Sequence, residues 1–272
     1  MEAFFLPAPD GARFCVYHAP EAPVRAGVIF VPAFAEEMNK ARHLVAQASR
    51  RLAALGVGVL LIDLKGCGDS TGAFEDATWD DWRSDLRLAV DFMQRRGHKN
   101  VALWGMRLGA MLAAQCAAEM PHAVARCLFW QPVTQGETHL TQFLRLRLAN
   151  AMLSGTKGSE SGKALRAQLA AGESLEIAGY RLSPSMAASL EQLNLEALRP
   201  PCPVHWFEVV ADEERPLPPA ASRVIAAWRE LETPVSVTPL VAEAFWGATN
   251  AAELVQCPAI VDATVQEVRS WP

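Results

Sequence analysis

Apolar residues in this chain gather in short unbroken runs, and between the runs they recur at helical spacing. Residues 26–34 (AGVIFVPAF) and 56–64 (GVGVLLIDL) are almost wholly apolar, the pattern of strands buried on both faces. Residues 100–105 (NVALWG) and 125–130 repeat it. Between these runs, 41–55, 80–96 and 108–119 read as helices; in the second, Trp82, Leu86, Val90 and Phe92 recur on one side. Gly56 stops the first of them. Strands alternating with helices predict βαβ units and a doubly wound, mostly parallel sheet. Ahead of them, 3–6 and 13–17 flank the turn Pro9-Asp10-Gly11, a hairpin pattern.

The rhythm breaks after Val133. Residues 138–153 suit a helix, and 154–162 (SGTKGSESG) form a small-residue polar tract expected to be mobile. A shorter helix at 163–171 and the segment 175–182 follow; Ser183 then caps a further helix with Pro184 at its first position. Alternation returns with strands at 204–210 and 234–240 and helices at 220–231 and 259–268. The expected organisation is therefore a core of 1–133 and 201–272 with a helical lid inserted at 134–200.

Composition narrows the function. With 51% hydrophobic and 20% charged residues the chain is globular. A net charge of −5 without a basic stripe argues against nucleic acid. The opening MEAFFLPAPDGARF has acidic Glu2 and an early proline, unlike a secretory signal, and no run nears the roughly 20 apolar residues of a membrane span. A cytoplasmic location is the expectation. The six cysteines form no CxxC pair, so neither a metal nor a cofactor is expected.

Chemistry concentrates at the ends of the apolar runs. Gly105-Met106-Arg107-Leu108-Gly109 follows a strand and opens a helix, the setting of the G-x-S-x-G nucleophile elbow. The central residue is arginine, permanently protonated and no nucleophile. In this arrangement an acid and then a histidine follow along the chain. Asp212 fills the acid position, but the region for the histidine, 243–250, contains Phe245 and Trp246, and no histidine occurs after His205. Ser-His-Asp catalysis is not expected. Arg107 has two readings: a buried arginine paired with an acid, or an anion receptor at a helix N-terminus, with Asp212 or a glutamate as its resting partner. Phe34, Glu36, Glu37, Asn39 and Lys40, at the exit of the first buried strand, either start a helix with dipole-matched charges or line a pocket with Met106 and Trp246. In 63–72 (DLKGCGDSTG), Ser70 is expected to be structural, and Cys67 needs a histidine neighbour to act.

These strings together resemble one family: the second of two α/β-hydrolase-like proteins associated with the exosortase A system. The resemblance lies in Pro32 with 34–40 (FAEEMNK), 63–72, 103–109 (LWGMRLG), 130–133 (WQPV) and Phe245-Trp246. Ala33 and Ala41 depart from it slightly. It implies the α/β-hydrolase fold, an elbow arginine shared across the family, and work beside bacterial machinery for envelope-protein sorting and exopolysaccharide. Three functions remain open: a pseudohydrolase binding a small anionic or acyl-containing ligand; an ester or thioester hydrolase using water activated by Glu36, Glu37 or Asp212; and an interaction subunit for a partner protein of that system.

Overall fold

A computed structural model describes residues 1–153, 161–212, 214–247 and 255–271. The opening hairpin is β1 (Glu2–Ala8) and β2 (Gly11–His18), antiparallel. The four apolar runs become β3 (Ala26–Val31), β4 (Val57–Ile62), β5 (Val101–Met106) and β6 (Val124–Trp130), and the sheet is completed by β9 (Val204–Val210) and β10 (Val235–Val241). Strand order is β1-β2-β4-β3-β5-β6-β9-β10. From β4 to β10 every pairing is parallel. In β3 and β5 all residues are buried, because helices cover both faces.

On one face lie α1 (Glu36–Ala54) and α8 (Pro258–Arg269), packed on each other. On the other lie α2 (Trp79–Arg95), α3 (Leu108–Glu119) and α7 (Pro219–Glu230). A T-shaped Trp104–Trp130 pair (4.6 Å) fills the α1/α8 side, and Trp130 Nε1 donates to Thr264 Oγ1 at 2.8 Å. The start of α2 is set by a reciprocal cap: Thr78 Oγ1 accepts from Asp81 N (3.1 Å) and Asp81 Oδ2 from Thr78 N (2.9 Å).

Helix α1 begins five residues earlier than apolar spacing indicates. Glu36 and Glu37 occupy its first turn, where the helix dipole favours acids, and Ala35 turns the chain out of β3 at φ 49°. Between β6 and β9 the chain forms α4 (Gly136–Leu153), α5 (Gly162–Ala170), the hairpin β7 (Leu175–Ile177) and β8 (Tyr180–Leu182), and α6 (Pro184–Gln192). Helix α4 packs on α5, α6 and β7. The base of this insertion is stitched by Gly136 N to Leu193 O (2.9 Å) and Leu195 N to Thr134 O (3.0 Å). Most of the polar tract, 154–160, lies outside the described residues.

Candidate functional site

The strands β3, β5 and β6 end side by side, and each passes into its next segment through a non-glycine residue at positive φ: Ala35 (49°), Arg107 (54°) and Gln131 (44°). At the β5–α3 turn the cause is local crowding. A Cβ on Gly109 would stand 2.3 Å from Pro32 O, and one on Gly105 would stand 2.5 Å from Ala110 Cα. The two glycines let helix and strand meet, and the residue between them is forced up from the sheet. Arg107 holds that place with its N–H donating to Trp130 O (2.9 Å) and its carbonyl accepting from Ala110 N (3.1 Å) and Val133 N (3.2 Å).

Its guanidinium is anchored on α1. Nε donates to Glu37 Oε1 and Oε2 (3.2 and 3.3 Å), Nη2 to Glu37 Oε1 (3.0 Å) and Nη1 to Gln131 O (3.4 Å). The face of Trp246 lies 4.8 Å from the guanidinium carbon, within cation–π range. Side-chain exposure is 12% for Arg107 and 11% for Glu37, so water screens the pair little. Among the described residues, two of the five guanidinium N–H groups, one on Nη1 and one on Nη2, remain for another acceptor.

Around this pair sit three titratable groups, Glu36 half-buried and Glu208 and His139 buried. Burial, with the neighbouring Glu37 charge adding to it, pushes the Glu36 carboxyl up to about 7, and its Oε2 has no partner among the described residues. Burial also raises the Glu208 carboxyl of β9, against hydrogen bonds from Trp206 Nε1 (2.7 Å) and Gln131 Nε2 (2.9 Å) that favour its charged form. His139 of α4 is 5% exposed, and burial lowers its pKa, leaving a neutral imidazole at pH 7. Two cavities meet at Arg107, His139 and Gln142: one of about 170 Å³, walled also by Phe34, Glu36 and Trp246, and one of about 260 Å³, walled also by Gln131 and Glu208.

Of the residues singled out in the sequence, Phe34, Glu36, Glu37, Arg107 and Trp246 come together here. Asn39 is exposed and donates to Tyr180 Oη (2.8 Å), tying α1 to β8. Lys40 is half-buried, and its charge favours the ionised form of Glu36. Two expectations change. Met106 is wholly buried in the α1/α8 core, out of reach of any ligand, because alternation along β5 turns it away from the cavities. Asp212 is exposed in the loop after β9 and lines neither cavity; Glu37, from the opposite side, is the partner of Arg107. Phe245 is buried and packs edge-on against Trp130 (5.9 Å) and Trp246 (5.1 Å); 248–250 of the histidine region lie outside the described residues.

Sequence reasoning passed over His139, Gln131 and Glu208. Gln131 figured only within the resembling string 130–133, and Glu208 left a signal as a lone acid inside the apolar run VHWFEVV. Ser70 is structural: its hydroxyl accepts from Phe14 N (2.9 Å) and donates to Asp63 O (2.5 Å). Burial pushes the Cys67 thiol up to about 12, far from a thiolate nucleophile. Among the described residues no three metal-binding side chains cluster, and no helix is long and apolar enough to cross a membrane.

Residues 22–175 match the family model described as serine aminopeptidase, S33. The mitochondrial palmitoyl-protein thioesterase ABHD10 of Pongo abelii is 28% identical over 120 residues, covering 44% of this chain and 37% of that protein's length. Among solved structures, Est1E from Butyrivibrio proteoclasticus with bound ferulic acid superposes with a TM-score of 0.73 at 14% identity, over 99% of both chains. Mouse alpha/beta hydrolase domain-containing protein 10 does so at 0.64 and 17% identity, over 98% of this chain and 97% of that one. At such identities the structural likeness speaks for the fold alone, and that fold is the α/β-hydrolase fold.

Proposed function

The chain belongs to the serine aminopeptidase S33 family of α/β-hydrolases, and from that premise we propose that it keeps the hydrolase pocket without the nucleophile. In this reading it is a pseudohydrolase that binds a small carboxylate- or acyl-bearing ligand beneath a lid formed by 134–200. The observation that carries it is Arg107: it occupies the nucleophile's position with φ 54° and ψ −119°, and its guanidinium borders both cavities. A ligand oxygen is received by the two N–H groups that Glu37 and Gln131 leave unused. Glu37 holds the guanidinium in place through two of its nitrogens, so the receptor is formed before the ligand arrives.

A second reading has its own observation. Glu36, with its carboxyl at about 7 and Oε2 unpartnered, suits a general base for water, with Arg107 as oxyanion stabiliser; this would be an unconventional ester or thioester hydrolase. A role beside an exosortase or exopolysaccharide system, with a partner protein from it, is proposed only from the resemblance of 34–40 and 103–109. Thermal melts with hexanoate, and turnover of short acyl esters and thioesters, test the two readings. Stabilisation by hexanoate that Arg107→Ser removes, with no turnover, supports the pseudohydrolase. Turnover by the unaltered chain that Glu36→Gln abolishes overturns it in favour of the second reading.

A further inference from the structure

The lid helix brings an unmet demand for hydrogen bonds to this pocket. His139 is almost fully buried, yet neither Nδ1 nor Nε2 has a partner among the described residues. Its ring is fixed edge-on against Phe34 at 5.8 Å and 82°, and His139 walls both cavities beside Arg107. A neutral imidazole offers one donor and one acceptor, and buried polar groups left without either partner are rare in folded proteins. Gln142, one turn further along α4, borders both cavities too and adds an amide to the same face. In the same pocket Glu36 Oε2 also lacks a partner among the described residues.

The occupant must answer all of these at once. A plain fatty acid would satisfy Arg107 but lay methylene groups against His139 and Glu36, leaving three buried polar atoms unpaired. A neutral polyol would answer His139 and Glu36 but bring no charge to the guanidinium. We propose that the ligand is a small hydroxy acid, its carboxylate held by the Nη1 and Nη2 hydrogens of Arg107 and its hydroxyl groups read by His139 and Glu36. The inference rests on the pseudohydrolase reading and narrows its ligand. Each hydroxyl both donates and accepts, so one group can meet either imidazole nitrogen or the carboxyl of Glu36 in either protonation state.

Three six-carbon probes separate the terms: gluconate with both features, hexanoate with the carboxylate alone, and sorbitol with the hydroxyls alone. Calorimetric titration of the full chain is expected to give gluconate a Kd at least about ten-fold below either comparator, the value of one good hydrogen bond. His139→Phe, which keeps a flat ring but removes both nitrogens, should narrow the preference for gluconate over hexanoate; His139→Gln, which keeps a donor and an acceptor, should restore part of it. If hexanoate binds the unaltered chain as tightly as gluconate, the hydroxy-acid inference falls while the pocket reading stands. If neither acid binds, both fall. A preference for gluconate undiminished by His139→Phe overturns the assignment to His139. The comparison of probes on the unaltered chain decides the ligand class even if the phenylalanine variant does not fold.

Discussion

Replacing Glu37 with leucine strands a charge that cannot neutralise itself. Arg107 stays protonated at any accessible pH, its side chain is 12% exposed, and the carboxylate supplies the acceptors of its 3.0–3.3 Å contacts. Breaking a buried pair from one side costs about 3–5 kcal/mol. Residual exposure and the Trp246 face offset part of this, which puts the expected loss near 3 kcal/mol. For a chain of this size that lowers Tm by about 6–12 °C. The reverse change, Arg107→Leu, is milder, because buried carboxylic acids as a class can neutralise themselves whereas a guanidinium cannot. The double variant should be more stable than the sum of the singles by about 2 kcal/mol, since two leucines leave no charge behind. Thermal melts at pH 5 and 7 with a double-variant cycle measure all three quantities. Additivity to within about 0.5 kcal/mol, or Arg107→Leu proving the more damaging single change, would refute the coupling.

Other outcomes follow from the same geometry. Glu36 has its folded pKa raised to about 7 from 4.5, so the native state holds its proton more tightly than the unfolded chain. Its contribution is therefore complete below about pH 4.5 and is lost as pH rises through about 7, by roughly 2–4 kcal/mol; Glu36→Gln should flatten that slope in denaturant titrations, and an unchanged slope would count against burial as the cause. Gly109→Ala forces a Cβ to 2.3 Å from Pro32 O, backbone that cannot step aside, and should destabilise by about 3 kcal/mol or more; a variant melting within 2 °C of the parent would contradict that packing. All six cysteines are buried, so a thiol reagent should label the native chain slowly and six thiols after unfolding, whereas one fast native thiol would show that Cys67 or another is open. Arg107→Ser should not create an esterase, because no histidine follows His205 in the chain to fill the histidine position of the triad; a hundred-fold rise in turnover would refute this.

What the sequence made legible and what it concealed divide along a physical line. The parallel strands were readable because burial on both faces demands unbroken apolar runs, and 26–31 and 101–106 are such runs. The elbow was readable because two glycines must flank it for steric reasons local to five residues. The acid that pairs with Arg107 was only partly readable. Glu37 stood in the right cluster, but so did Glu36, and the choice between them depends on how α1 leaves β3 at Ala35. Asp212 was misplaced for the opposite reason: its position in chain order was right, yet the loop after β9 carries it out to solvent. His139 was unreadable in principle, since it enters from an insertion whose packing over the sheet is set by long-range contacts between α4, α5, α6 and β7.

The backbone at Arg107 makes a further argument about what has been retained. A non-glycine residue at φ 54° costs on the order of 1–3 kcal/mol and persists only where surrounding structure imposes it. In a hydrolase the strain lifts a nucleophile into the pocket. Here no nucleophile gains from it, and a glycine at 107 would remove the strain but also the guanidinium. The neighbouring turns at Ala35 and Gln131 share the strained geometry and converge on the same cavities: the first starts the helix that carries Glu36 and Glu37, and the second offers its carbonyl to Arg107. Three strained turns around one arginine hold it at a fixed height above the sheet, against one carboxylate and one indole face. A purely structural salt bridge needs no such frame, because any pair of neighbouring helices can supply one. A receptor that must meet a small ligand at a set distance is served by it, since the hydrogen bonds from Arg107 N to Trp130 O and from Ala110 N and Val133 N to Arg107 O impose the elbow that carries the guanidinium.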